Sequence, residues 1–160
     1  MGQRHGTAAW FLAGLALGPA SPAAADDTPA GCLGPPSAIW LNVSVEQVKS
    51  SSGFITLTLY PDDQARFLKP MGSLYVTKVS ARAGVTQACV FVPGPGSYGL
   101  ALYHDANGNG KIDRNAIGIP KEGFGFSNNP RILFSAPKLK SVRLAVNVPG
   151  TVTRIRMRYP

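Results

Sequence analysis

Hydrophobic and polar residues alternate along much of this chain. Ile39, Leu41, Val43 and Val45 interleave with Trp40, Asn42 and Ser44, and Ile55, Leu57 and Leu59 interleave with Thr56, Thr58 and Tyr60. Val142, Leu144, Val146 and Val148 repeat the pattern, as do Ile155, Met157 and Tyr159 between Arg154, Arg156 and Arg158. A period of two marks half-buried strands, because successive side chains on a strand point to opposite faces. Residues 74–82, 87–92 and 98–103 add β-rich runs. The polar break at 50–53 predicts that strands 39–45 and 54–60 pair as a hairpin. Residues 62–68 are expected to make one helical turn or two, capped by Asp62 or Asp63 and ended by Pro70. About seven short strands with Gly/Pro turns and no long helical period predict an all-β fold. The expected architecture is a single antiparallel β-sandwich, immunoglobulin-like or prealbumin-like. Residues 104–136 lack a strand pattern and are expected to form a long irregular loop, a length of structureless chain that is usually functional.

The N-terminus reads differently. Arg4 and His5 precede an apolar run at 8–16, and Ala23, Ala24 and Ala25 offer a small-residue cleavage site. That is the pattern of a secretory signal peptide over residues 1–25, with too few apolar residues to span a bilayer. Residues 26–37, rich in Pro, Gly and Ala, read as a linker, leaving 38–160 for the sandwich. Export places the protein in a periplasmic or secreted, oxidising setting, where the only two cysteines, Cys32 and Cys89, are expected to pair rather than stay free. A lipid anchor on Cys32 is the less favoured alternative.

The richest stretch is His104-Asp-Ala-Asn-Gly-Asn-Gly-Lys-Ile-Asp113. Oxygen-bearing side chains fall at every second position through Asp105, Asn107 and Asn109, and again at Asp113. That is the ligand spacing of an EF-hand calcium loop. Gly110 sits where such a loop turns sharply, and Lys111 where the backbone carbonyl is the ligand. The twelfth position is Ala116, so the usual bidentate glutamate is missing, and Glu122 is the nearest acid able to close the site. The expected metal set is therefore Asp105, Asn107, Asn109, the Lys111 carbonyl, Asp113 and Glu122, holding Ca2+. The bland alternative is an Asx-rich turn held by its own hydrogen bonds.

Little else suggests catalysis. His104 and Asp105 are adjacent, so on a strand they face opposite ways and make no dyad. No serine elbow, zinc spacing or phosphate loop is present, and neither catalytic nor organic-cofactor residues are assigned. A structural role for His104 is favoured. Phe124 and Phe126 read as plugs pinning the long loop, ahead of an aromatic ligand shelf. Asn42-Val43-Ser44 matches a glycosylation acceptor but lies inside a predicted strand.

The chain carries a net charge of +8, which becomes +7 if Arg4 leaves with the signal. Seven basic residues and no acid lie between Arg131 and Pro160. Arg154, Arg156 and Arg158 fall on one strand face, which is a solvated face or a contact for an anionic surface or polymer. No specific nucleic-acid binding is expected.

The run from Tyr98 to Asp113, followed by Gly118-Ile-Pro-Lys-Glu-Gly-Phe-Gly-Phe-Ser-Asn128, resembles domain-of-unknown-function family 2141, a family of exported bacterial proteins. The resemblance spans roughly residues 38–159 and implies a small exported domain with no established activity. Two function classes follow. The first is a non-enzymatic module with a calcium-ordered loop, structural or binding a protein or glycan. The second is a metal-assisted hydrolase using carboxylates of the same loop.

Overall fold

The structure, a computed structural model, describes residues 1–2, 30–133 and 135–160; most of the expected signal peptide lies outside them. Among the described residues eight strands and one short helix follow in order: β1 Ile39–Val48, β2 Phe54–Pro61, β3 Tyr75–Ser80, β4 Gly84–Val92, β5 Gly96–Asp105, β6 Phe124–Phe126, α1 Leu139–Val142, β7 Arg143–Val146 and β8 Thr151–Arg156. A three-stranded sheet has the order β4-β1-β8, and a five-stranded sheet has β3-β2-β5-β6 with β7 also on β5. The two pack face to face as the expected β-sandwich.

The alternation read from the sequence is the reason. Leu41, Val43 and Val45 of β1 are 0% exposed, and they meet Ile55, Leu57 and Leu59 of β2 and Leu100 and Leu102 of β5 across the core. Ile155 and Met157 are buried while Arg154 and Arg156 are exposed, as their period required. The last valine of the 142–148 run departs from that rule: Val148 is exposed beyond β7, and Val142 ends α1 instead of beginning a strand.

Two pairings differ from expectation. β1 and β2 do not form a hairpin. β1 lies between β4, antiparallel, and β8, parallel, while β2 joins β3 and β5. Both partitions bury the same apolar face, so periodicity alone does not choose between them. A bulge between Glu46 and Val48 shifts the register at the end of β1, with Gln47 at φ 61°, just before the chain crosses to the other sheet. The parallel β1–β8 pair also breaks the wholly antiparallel pattern.

Residues 62–68 make a single capped turn, not a helix. The Asp63 carbonyl accepts from the Arg66 and Phe67 amides, and its carboxylate accepts from Ala65 N at 2.8 Å. Phe67 from this turn and Leu139 from α1 pack with Tyr60, Ala101 and Val142 into a second apolar cluster. It lies on the outer face of the five-stranded sheet, where Gly99 leaves room: a Cβ there would stand 2.9 Å from Leu139.

The expected linker is held over its second half. Cys32 and Cys89 form a disulfide, with Cα atoms 4.4 Å apart, which leaves no thiol on Cys32 for a lipid anchor. Leu33 N donates to the Cys89 carbonyl, and Phe91 N donates to the Leu33 carbonyl, both at 2.9 Å. The segment thus adds a short parallel bridge to the edge strand β4.

Candidate functional site

β5 delivers two neighbouring side chains to opposite faces. His104 turns inward and is 2% exposed. Its Nε2 lies 2.8 Å from the Ser52 carbonyl, which can only accept, so Nε2 carries the proton. Nδ1 then accepts from the Tyr159 hydroxyl at 2.8 Å, and that oxygen in turn accepts from Lys49 N at 2.9 Å. Burial raises the Tyr159 pKa, which keeps the phenol a donor. His104 is therefore a structural tie between β5, the β1–β2 crossing and the C-terminus.

Asp105 faces the long connection and is 1% exposed. Oδ1 accepts from Asn109 N at 3.0 Å and Oδ2 from Gly110 N at 2.9 Å, so the loop wraps its first carboxylate. Gly110 has φ 78°, at the position where the spacing required a sharp turn. Asp113 Oδ1 accepts from Asn109 Nδ2 at 3.0 Å, and Oδ2 from Asn107 Nδ2 at 2.8 Å. The amides of Asn109 and then Asn107 hold the Asp113 carboxyl below the usual aspartate value. Glu122 returns from the far side: Oε1 accepts from Ala106 N at 3.2 Å and Oε2 from Asp113 N at 3.0 Å. All six residues expected to hold calcium thus belong to one turn, 105–113, and the glutamate that clasps it. Lys111 is exposed, and its amide donates to Asn109 Oδ1. Among the described residues no three His, Cys, Asp or Glu side chains form a metal-holding group by themselves. A cation here would need the asparagine oxygens and the Lys111 carbonyl as well.

The connection has two parts. Residues 105–122 form an exposed arm, whose outer portion is closed by an Arg114–Pro120 bridge and by Arg114 Nη1 donating to the Gly118 carbonyl at 2.7 Å. Residues 123–129 form a latch. A Cβ on Gly123 would stand 2.4 Å from the Tyr159 ring, and one on Gly125 2.8 Å from Ile155. Ser127, fully buried, exchanges backbone and side-chain bonds with Leu100 and donates to the Val142 carbonyl. Asn129 Nδ2 donates to the Arg154 carbonyl at 2.9 Å, and its Oδ1 accepts from Arg156 N at 2.7 Å. Those are the free backbone groups of β8, an edge strand, so Asn129 shields an edge open to pairing with other chains.

The alternating Phe-Gly-Phe of β6 puts Gly125 toward the core and Phe124 and Phe126 on the outer face. Phe126 packs against Phe67 at 6.4 Å and anchors the latch as a plug. Phe124 is half-buried and lines a groove of about 880 Å³ between the arm and Ile132, Leu133, Ser135 and Ala136. The groove was not foreseen from sequence. The arginine stripe is split: Arg154 and Arg156 stand on β8, Arg156 at 3.6 Å from Glu46, whereas Arg158 continues past the strand into that groove.

A family model described as "Uncharacterized protein conserved in bacteria (DUF2141)" matches residues 43–154, from β1 to β8. The chain belongs to this family. No curated protein and no solved structure matches it. The matched DUF2141 span contains both the arm and the latch, and it leaves out Cys32 and the C-terminal Tyr159.

Proposed function

We propose that this DUF2141 protein is an exported, non-enzymatic β-sandwich module whose arm is ordered by calcium and which is structural or binds a protein or glycan. One observation carries the reading: Asp105 and Asp113 lie on one short turn with the Asn107 and Asn109 amides, and Glu122 bonds backbone amides of that same turn. Hard oxygen donors of this kind suit Ca2+, and turning over the asparagine amides would offer oxygens in place of nitrogens. Bound calcium would add positive charge beside the three carboxylates, where Lys111 and Lys121 already act on Asp113. The signal-peptide pattern and the Cys32–Cys89 disulfide support export to the periplasm or beyond. Among the described residues no helix is long and apolar enough to cross a membrane.

The hydrolase alternative has less support. Both Asp105 oxygens accept loop amides, and both His104 nitrogens are engaged inside the sandwich. A screen of ester, glycoside and phosphoester substrates with and without calcium separates the two classes.

The test of the calcium reading is a melting curve in calcium and in chelator. At a hundredfold excess over Kd, binding adds about 2.7 kcal/mol, a rise of roughly 10 °C for a domain of this size. Asp105→Ala and Asp113→Ala are each expected to remove the rise. Identical curves in calcium and chelator would leave the stretch as an Asx turn.

A further inference from the structure

We propose that Asn107 is a site of spontaneous deamidation, and that the fold selects it over Asn109, the other asparagine of the chain that precedes a glycine. The inference goes beyond the calcium reading and does not depend on it.

The chemistry needs an asparagine side-chain amide, the backbone nitrogen of the next residue, and water. Asparagine is among the thermally labile side chains, and a following glycine puts no side chain in the way of ring closure. The Gly108 nitrogen attacks Cγ of Asn107 and a cyclic imide forms. The Cγ–Nδ2 bond breaks, and the proton from Gly108 N leaves with Nδ2 as ammonia. Water then opens the imide at either carbonyl, giving aspartate or isoaspartate. No other reagent is consumed. Asn107 and Asn109 are both exposed, and a Cβ at Gly108 would meet nothing nearer than the Phe54 ring at 3.9 Å.

The two sites differ in their nucleophiles. Their electrophiles are held alike: Asn107 Oδ1 accepts from Asn109 N at 3.1 Å and Asn109 Oδ1 from Lys111 N at 3.0 Å, while both Nδ2 groups donate to Asp113. Gly110 N, which would attack Asn109, donates to Asp105 Oδ2 at 2.9 Å. That bond must open before Gly110 N can turn to the side chain, and negative charge developing on the nitrogen is repelled by the buried Asp105 carboxylate. Gly108 is exposed, and its N–H has no acceptor among the described residues. Conversion at Asn107 also changes the arm. Its Nδ2 donates to Asp113 Oδ2 at 2.8 Å; an aspartate there sets carboxylate against carboxylate, and an isoaspartate adds a methylene to the backbone of the turn.

In the test, the full chain is incubated at neutral pH in chelator, folded in one sample and denatured by guanidinium in the other. Peptide mass spectrometry locates the converted residues. The denatured chain should convert Asn107 and Asn109 at similar rates, since both precede glycine. The folded chain should convert Asn107 about tenfold or more faster than Asn109, which waits on the opening of a charge-assisted bond. Asn107→Gln, whose longer side chain closes a ring far more slowly, should remove most of the ammonia released by the folded chain. A folded chain that converts both asparagines equally, or Asn109 first, would overturn the proposal. So would a folded chain that converts neither while the denatured chain converts both, or undiminished ammonia release from Asn107→Gln.

Discussion

The arm and the latch are consecutive in sequence and opposite in construction. The arm, 105–122, is exposed through most of its length and is held by hydrogen bonds among its own asparagines, Asp105, Asp113 and Glu122. The latch, 123–129, is defined by what it leaves out: side chains at Gly123 and Gly125, where Tyr159 and Ile155 need the space. One recognition motif therefore serves two purposes. Its second half closes the sandwich, and its first half presents oxygen-bearing side chains and one wall of a groove. Mutation tests whether the two halves separate in this chain.

The largest effect is expected from filling the latch. Gly123→Leu drives a side chain into the Tyr159 ring and loosens the His104–Tyr159–Lys49 chain of bonds, at a cost of about 3 kcal/mol read from denaturant unfolding in chelator. Removing the disulfide with Cys32→Ala and Cys89→Ala should cost about 2–4 kcal/mol, whichever buffer is used. Ser127→Ala strips a buried partner from Leu100 N and should cost about 1–3 kcal/mol. Asn107→Ala and Asn109→Ala, both exposed, should change stability in chelator by no more than about 0.5 kcal/mol while weakening any calcium response. An arm variant as costly as Gly123→Leu in chelator would break the comparison.

Acidity sharpens it at the smallest scale. Asp113 is held below its ordinary value of 3.8 by the Asn109 and Asn107 amides. A depressed folded-state pKa gives a contribution that is complete above the unfolded value and lost as pH falls through the folded one. The Asn107 and Asn109 side-chain amides should therefore keep their protection down to pH 3.8 and lose it only below that, as pH falls through the depressed folded-state value, with the latch amides unaffected.

The strands were legible because their alternation matched their burial, from Leu41 in β1 to Ile155 in β8. β6 was not, because its pattern is inverted: the core-facing residue is Gly125 and the aromatics face outward, so Phe-Gly-Phe has no ordinary strand signature. The β1–β2 hairpin was misread because a short polar connection crosses between sheets as readily as it turns within one. The calcium-type spacing was visible as spacing, with Glu122 as its closing acid, and the structure adds the Ala106 and Asp113 amides that Glu122 accepts from. The groove was invisible, since its floor comes from three strands and its walls from segments about fifteen residues apart. Arg158, read as part of a surface stripe, lines it because the chain runs on past β8 to pair with Phe124.

Amide hydrogen exchange, resolved by residue and run in calcium and in chelator, tests the division most directly. The account predicts that amides of Ala106, Asn109, Gly110 and Asp113 exchange slowly in calcium and at least tenfold faster in chelator, while those of Phe124, Ser127 and Asn129 keep one rate in both. No change in the arm, or an equal change in arm and latch, would contradict it.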